Sequence, residues 1–388
     1  MNYTVVRALK KVLEYIKRLD KLLILLCLGA SVFGIILLYS LYVNDFAGVS
    51  ESYYQTQIIA TVLGLAVMLF IAGVNYRFIS KIWFIYAPIA LILVLLLFTS
   101  LGQGRQGADD VGWLKIGGFT IQPSELLKVA FIMTFSTHLY KDQKNINRPT
   151  HFLLLCAHGM LPVGLISIQG DDGTAMVFLF MFIIMLVVAG LSWKYILAGC
   201  LAIPAVVFFA WNFLMQPHHK RRFLVLFDAE MQQEEIQGIW YQQYWGKIAL
   251  GSGGMTGTGL FGGDNYVYTS ELHNDFIFAY IGNALGFVGC LCTVVLLLAI
   301  CLKTYSNALS AKDNLGKYIC TGVFAMILCH MIINIGMVLT VMPVIGIPLP
   351  FISAGGTSTV ALYAAIGLVL SVYGHREKKY HMFYTEKD

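Results

Sequence analysis

The stretch SELHNDFIFAYIGNALGFVG, 270–289, sets four polar side chains, Glu271, His273, Asn274 and Asp275, against the first residue of a long apolar run. A carboxylate at that boundary can reach a bound hydroxyl while staying wet. Asp275 therefore suits a general base, or a ligand for a divalent cation (Mg or Mn) that serves the same step. The same residue types equally suit a helix N-cap, with Asn274 or Asp275 accepting from the first turn. A second constellation is PSELLK, 123–128. Pro123 fits a first helical position, Ser124 and Glu125 fit the positive end of the helix dipole, and Glu125 and Lys128 face each other three residues apart. That pair reads either as an ion pair that lowers the cost of two charges at a membrane edge or as a substrate contact. The run HHKRRF, 218–223, gathers Lys220, Arg221 and Arg222, cations suited to a phosphorylated ligand or to lipid headgroups. The glycine run GSGGMTGTGLFGG, 251–263, offers bare backbone amides to a phosphate or sugar, or serves as a flexible linker.

The elements that must hold these groups are membrane helices. Of 388 residues, 58% are hydrophobic and 12% charged, against about 25% charged in ordinary soluble chains. A span needs about 20 apolar residues because its backbone finds no water in the hydrocarbon. Ten windows qualify: Leu22–Tyr42, Gln55–Gly73, Ile82–Leu101, Pro123–Leu139, Phe152–Ile168, Thr174–Ser192, Tyr195–Gln216, Phe276–Leu302, Tyr318–Met342 and Phe351–Tyr373. The expected fold is thus an all-α integral membrane protein of ten spans, one polytopic domain over residues 1–388. The basic start, Arg7 to Lys21, leads into a full-length span, which is expected to stay as an anchor rather than be cleaved.

Ten spans put both ends on one side of the membrane. If that side is cytoplasmic, 19 of the 26 Lys and Arg fall there and 14 of the 21 acidic residues fall opposite, as the positive-inside rule requires. The long external loops are then about 102–122 and 217–275. A net charge of +5 distributed this way says little about nucleic acid. The eight cysteines all lie inside predicted spans and read as small core residues rather than a metal site.

Taken together and in order, WLKIGGFTIQPSELLK, QGDDGTA, GSGGMTGTG, HNDFIFA and NIGMVLTVMPVIGIPLPFISAGG resemble the SEDS family of shape, elongation, division and sporulation proteins. The resemblance runs from the first span to the last. It implies a peptidoglycan glycosyltransferase that polymerises lipid II at the outer face of the bacterial cytoplasmic membrane, beside a class B penicillin-binding protein that crosslinks the strands. Asp275 matches the family's essential aspartate. Arg222 and Lys128 are then the counter-charges for the lipid diphosphate. The motifs also carry Trp113, Gln122, Ser124, Glu125, Asp171, Ser252, His273 and Asn274 into the expected substrate site, although Trp113 equally fits an aromatic belt.

This chain departs from the family where most members have paired glutamates, here Asn283 and Ala284. It departs again at Ile345 and Ala354. Those losses keep two other readings open: a non-catalytic scaffold that recruits the penicillin-binding protein, and a lipid II flippase.

Overall fold

The computed structural model describes residues 15, 17–46, 48–104, 111–117, 119–261 and 266–376. In chain order the helices are α1 Lys21–Val43, α2 Glu51–Gly73, α3 Tyr76–Lys81, α4 Trp83–Leu95, α5 Pro123–Asp142, α6 Pro149–Ile168 and α7 Asp172–Val188. They continue with α8 Trp193–Phe209, α9 Pro217–Leu224, α10 Ala229–Glu234, α11 Tyr241–Ser252, α12 Ile277–Leu309, α13 Asn314–Val338 and α14 Gly356–Gly374. Between α4 and α5 a small antiparallel sheet forms from β1 Gly102–Gln103, β2 Trp113–Ile116 and β3 Phe119–Ile121, with Leu114 opposite Ile121.

Seven helices among the described residues are long and apolar enough to cross a membrane: α1, α2, α6, α8 with its π-helical extension to Phe213, α12, α13 and α14. The segments Trp83–Phe98 and Asp172–Val188 are apolar but shorter. Helix α5 has the length, at 20 residues, but carries Glu125 and Lys128 in its first two turns.

The helix starts follow local chemistry. Pro123, Pro149 and Pro217 open α5, α6 and α9 at positions where the missing N–H has no partner to lose. Asp20, Asp171 and Asp313 cap α1, α7 and α13 through their carboxylates.

Packing separates centre from rim. In the apolar windows of α13 and α14, 72% of residues are buried, whereas α8 buries none. Helix α14 lies along α2, where a Cβ on Gly64 would stand 2.7 Å from the Tyr363 ring and one on Gly367 2.8 Å from the Met68 carbonyl oxygen. Small residues let these helices approach as closely as their backbones permit.

Several boundaries differ from expectation. Span eight is not continuous: Gly286, at φ 65° and ψ −163°, interrupts α12. The last predicted span starts late, since helix begins only at Gly356, and the ninth ends early, at Val338. The segment 217–275 contains three helices, α9, α10 and α11, rather than being an open polar loop throughout. Cys200 and Cys292 are exposed and Cys156 is partly so; only the other five cysteines are core residues, and all eight are free thiols.

Candidate active site

The seventeen residues between α13 and α14, 339–355, are non-helical, and the stretch from Ile347 to Ser353 is mostly buried, with Ile347, Leu349, Phe351 and Ile352 each at most 1% exposed. Buried irregular backbone must find partners for its polar groups. Side chains supply many of them here, and in doing so they gather the site.

Asn334, on α13 and fully buried, donates through Nδ2 to the carbonyls of both Asp275 and Ile347 at 2.8 Å. The Ser353 hydroxyl donates to Asn274 O at 2.7 Å while accepting from Leu349 N at 2.8 Å. Ala354 N donates to His273 O at 2.9 Å. The carbonyls of three successive residues, His273, Asn274 and Asp275, are thus each held by a different donor.

The side chain of Asp275 is 5% exposed. With its amide nitrogen turned towards Asp275, Asn274 donates to Oδ1 and to Ala354 O, both at 3.2 Å. Gly346 lies against the other oxygen: a Cβ there would stand 3.4 Å from Oδ2. The N-cap of α12 is Phe276, whose side chain makes no capping bond, and not Asn274 or Asp275. Glu271 at φ 60° and Phe351 at φ 65° occupy left-handed backbone on the two clamped segments, a strain of order 1–3 kcal/mol each that surrounding structure must hold.

A second group sits in the bundle beside this clamp. Lys128, 1% exposed, donates to Glu125 Oε1 and to His330 Nε2, both at 2.9 Å. Because Nε2 accepts from the ammonium, Nδ1 is the protonated nitrogen and donates to Pro348 O at 3.3 Å. The Glu125–Lys128 ion pair expected from spacing is present, and it is wired to the 339–355 segment. Ser124, 2% exposed, has no hydrogen-bond partner for its hydroxyl.

The three cations of 220–222 separate by function. Arg221 pairs with Glu235, and Lys220 lies 6.0 Å from the Trp211 ring. Arg222 reaches Val344 O at 3.5 Å. Nearby, His219 lies 3.4 Å from Asp172 at the start of α7, and a Cβ on Gly173 would meet Ile345 O at 2.4 Å.

Five consecutive residues therefore collect five partners from four parts of the chain: Val344 meets Arg222, Ile345 meets Gly173, Gly346 meets Asp275, and Ile347 and Pro348 meet Asn334 and His330 of α13. This strip brings together Asp275, His273, Asn274 and Arg222, with Asp171 two residues from Gly173 and Lys128 one hydrogen bond away through His330. Asp171 itself accepts from Thr174 N at 2.9 Å and caps α7. Trp113 and Gln122 belong to the sheet side. Trp113 is on β2, Gln122 precedes α5, and the sheet is tied to the α6–α7 turn by Val111 N donating to Gln169 O at 3.1 Å.

Ser252 is not part of this gathering. It is exposed at the end of α11 and accepts from Asn283 Nδ2 at 2.6 Å, about two turns along α12 from Asp275. Nor do the amides of the glycine run face an empty cradle. Thr258 N and Gly259 N donate to Asn283 O and Ala284 O at 3.0 and 2.9 Å, repairing the break at Gly286. Among the described residues no group of three or more His, Cys, Asp or Glu side chains converges to hold a metal ion. The donors around Asp275 therefore do not form a protein cage for a divalent cation.

His330 and Asn334 escape a reading by motif chemistry. Their signal is two polar side chains four apart, on one face of an otherwise apolar span.

The geometry has counterparts. The family model FtsW/RodA/SpoVE, described as cell cycle protein, matches residues 20–378. Peptidoglycan glycosyltransferase MrdB of Escherichia coli strain K12 is 29% identical over 363 residues, 92% of this chain and 94% of the relative. Stage V sporulation protein E of Bacillus subtilis is 31% identical over 369 residues, 91% and 96% of the two chains. In fold the chain is similar to a subunit of a peptidoglycan synthase complex, with TM-score 0.77, 24% identity and 92% and 97% coverage. It is also similar to the rod shape determining protein RodA of Thermus thermophilus, with TM-score 0.67, 24% identity and 93% and 98% coverage. With the family model matching nearly all its length, the chain belongs to the FtsW/RodA/SpoVE family of cell cycle proteins.

Proposed function

We propose that this protein is a peptidoglycan glycosyltransferase that polymerises lipid II. The names of its full-length relatives support the reaction class. The observation that carries it is the position of Asp275: a nearly buried carboxylate at the start of α12 whose backbone is clamped on the 339–355 segment. A base needs a fixed position, and the clamp supports that role.

In this reading Asp275 takes the proton of the sugar 4-hydroxyl as that oxygen attacks the anomeric carbon of a second lipid-linked disaccharide, with inversion. Arg222 and Lys128 meet the negative charge that builds on the departing diphosphate. Glu125, through its ion pair, and His330, through its bond to Nε2, hold Lys128 in place. Trp113, Gln122, Ser124, His273 and Asn274 line the saccharide side.

The protein is then a ten-span resident of the bacterial cytoplasmic membrane with both ends cytoplasmic. The two shorter apolar helices and α5 supply the remaining spans, and the site opens at the external face. Its partner is a class B penicillin-binding protein, in keeping with the synthase complex of similar fold.

The test is purified protein given labelled lipid II, with and without the transpeptidase. Asp275→Asn should lower polymerisation by about 10²–10⁴-fold while leaving the unfolding temperature and partner binding unchanged. Glycan product at near wild-type rate from that variant overturns the assignment of the base. A wild-type protein that binds the transpeptidase but never makes glycan is the scaffold instead.

A further inference from the structure

A cavity of about 440 Å³ lies between α4, α5 and α6, apart from the 339–355 segment, within the 300–1,000 Å³ of usual ligand sites. Along α5 it is lined by Leu127, Ala130, Phe131, Thr134, His138 and Lys141. Their spacing of three and four residues makes one helix face, about 21 Å long from Leu127 to Lys141 at 1.5 Å per residue.

The two ends of this groove differ in chemistry. Leu127, Leu91 and Leu165 close one end with apolar surface. At the other stand Lys141, Trp83 and a chain of polar rings: His138 Nδ1 is 3.0 Å from His158 Nδ1, and His158 Nε2 is 3.3 Å from the Thr134 hydroxyl. Asp142, the carboxylate at this end, faces two imidazoles, His138 at 3.5 Å and His151 at 2.9 Å. Lys81 at the end of α3, with Lys141, Lys144 and Arg148 around the α5–α6 turn, makes this end of the groove predominantly basic.

We propose that the groove binds an anionic glycerophospholipid, with one acyl chain along the Leu127–Phe131 face and the phosphate at Lys141 and His138. Charge complementarity selects the occupant: a basic mouth between transmembrane helices, with a tryptophan at headgroup level, is the arrangement that holds acidic lipid heads. Pro88 and Pro162, both lining the groove, each remove a helix hydrogen bond on the walls that α4 and α6 supply. The headgroup end is sixteen residues from Glu125 along α5, about 24 Å. It is thus a second lipid site, at the opposite end of the helix from the proposed diphosphate contacts.

The experiment measures binding and does not depend on catalysis. Wild-type protein in micelles containing equal phosphatidylglycerol and phosphatidylcholine, examined by native mass spectrometry, should retain phosphatidylglycerol in at least fivefold preference, the selectivity about one basic residue confers near a membrane surface. Lys141→Glu should erase the preference, and Ala130→Trp, which fills the groove, should abolish retention of both lipids. Thr134→Phe fills the groove from the next turn and stands in if Ala130→Trp fails to fold, as judged by its unfolding temperature without added lipid. Equal retention of the two lipids by the wild type overturns the proposal. So does unchanged phosphatidylglycerol retention in a folded groove-filled variant, and so does displacement of phosphatidylglycerol by equimolar undecaprenyl phosphate, which would assign the groove to the polyprenyl carrier.

Discussion

Helix α12 is interrupted at Gly286, and α13 is joined to α14 by the partly buried non-helical chain 339–355; both breaks free polar backbone inside the bundle. At Gly286 the repair is made largely by main chain. Thr258 N and Gly259 N take the carbonyls of Asn283 and Ala284, and the carbonyls of Gly254 and Met255 take Phe287 N and Val288 N at 2.9 and 3.1 Å. Around 339–355 side chains do most of the bridging: Asn334, Ser353, His330, and Gln243, whose Nε2 donates to Met337 O and Met342 O at 3.0 and 2.8 Å. Gln57 adds Gly355 N at 3.1 Å and Thr359 Oγ1 at 3.0 Å. A main-chain repair demands the absence of side chains, so it selects glycine. A side-chain repair demands particular residues, and through them it can hold Asp275 and Lys128 in register.

The largest effect should come from the main-chain repair. A Cβ on Gly257, at φ 80°, would stand 2.2 Å from Ala284 O, whereas one on Gly254, at φ 54°, meets nothing within 4 Å. Gly257→Val should therefore cost about 3–5 kcal/mol of stability and Gly254→Ala about 1 kcal/mol, the strain of its backbone alone. Thermal unfolding in detergent compares them. Equal unfolding temperatures would dissolve the contrast between the two breaks.

Next comes the side-chain repair. Asn334→Ala leaves the buried carbonyls of Asp275 and Ile347 without their donor, a loss of about 1–3 kcal/mol, and lets Asp275 shift from its place. Lipid II polymerisation should fall about 10- to 100-fold with a smaller drop in unfolding temperature than Gly257→Val. Asn334→Leu, similar in volume but without any donor, should behave like alanine. Full activity in the leucine variant would mean that the carbonyl clamp does not position Asp275.

A smaller effect is expected at the rim of the same strip. Arg222→Ala should raise the lipid II concentration for half-maximal rate about tenfold, as loss of a charge-assisted phosphate contact does. Lys194→Ala, of equal charge change but on α8, should not. Equal effects would reduce Arg222 to a lipid contact.

The smallest lies far from both breaks. Burial pushes the Asp313 carboxyl up, but the Gly316 N–H, the Arg77 guanidinium and the Tyr76 hydroxyl outweigh it and hold the group below its ordinary range. A depressed folded value gives stability that is present above the ordinary carboxylate pKa of about 4 and is lost as pH falls through the folded value. Asp313→Asn should thus cost about 0.5–1 kcal/mol at pH 7, with the gap to wild type closing below about pH 4 in unfolding measured against pH.

Residues with purely local jobs were readable from order alone. Hydrophobic windows mark the long helices because a span satisfies its own backbone, and that requirement is written in consecutive residues. Pro123 and the Glu125–Lys128 spacing likewise act within one or two turns, and each does what its position implies. Asp275 stands out because a carboxylate beside an apolar run is costly anywhere else.

Other facts needed the third dimension. The glycine run reads equally as a phosphate cradle or a linker until α12 is seen to break at Gly286 and take its amides. Asn334 and His330 look like two stray polar residues in a span, since their partners, Asp275 and Lys128, lie 59 and 202 positions away. The sequence by itself determined where the long apolar helices lie and which polar residues must be accounted for, because those follow from short-range hydrophobic patterning. Only the tertiary structure decided that Arg222, Gly173, Asp275, Asn334 and His330 meet five consecutive residues, 344–348, because hydrogen-bond partners across a bundle are chosen by how helices pack, and local spacing does not encode it.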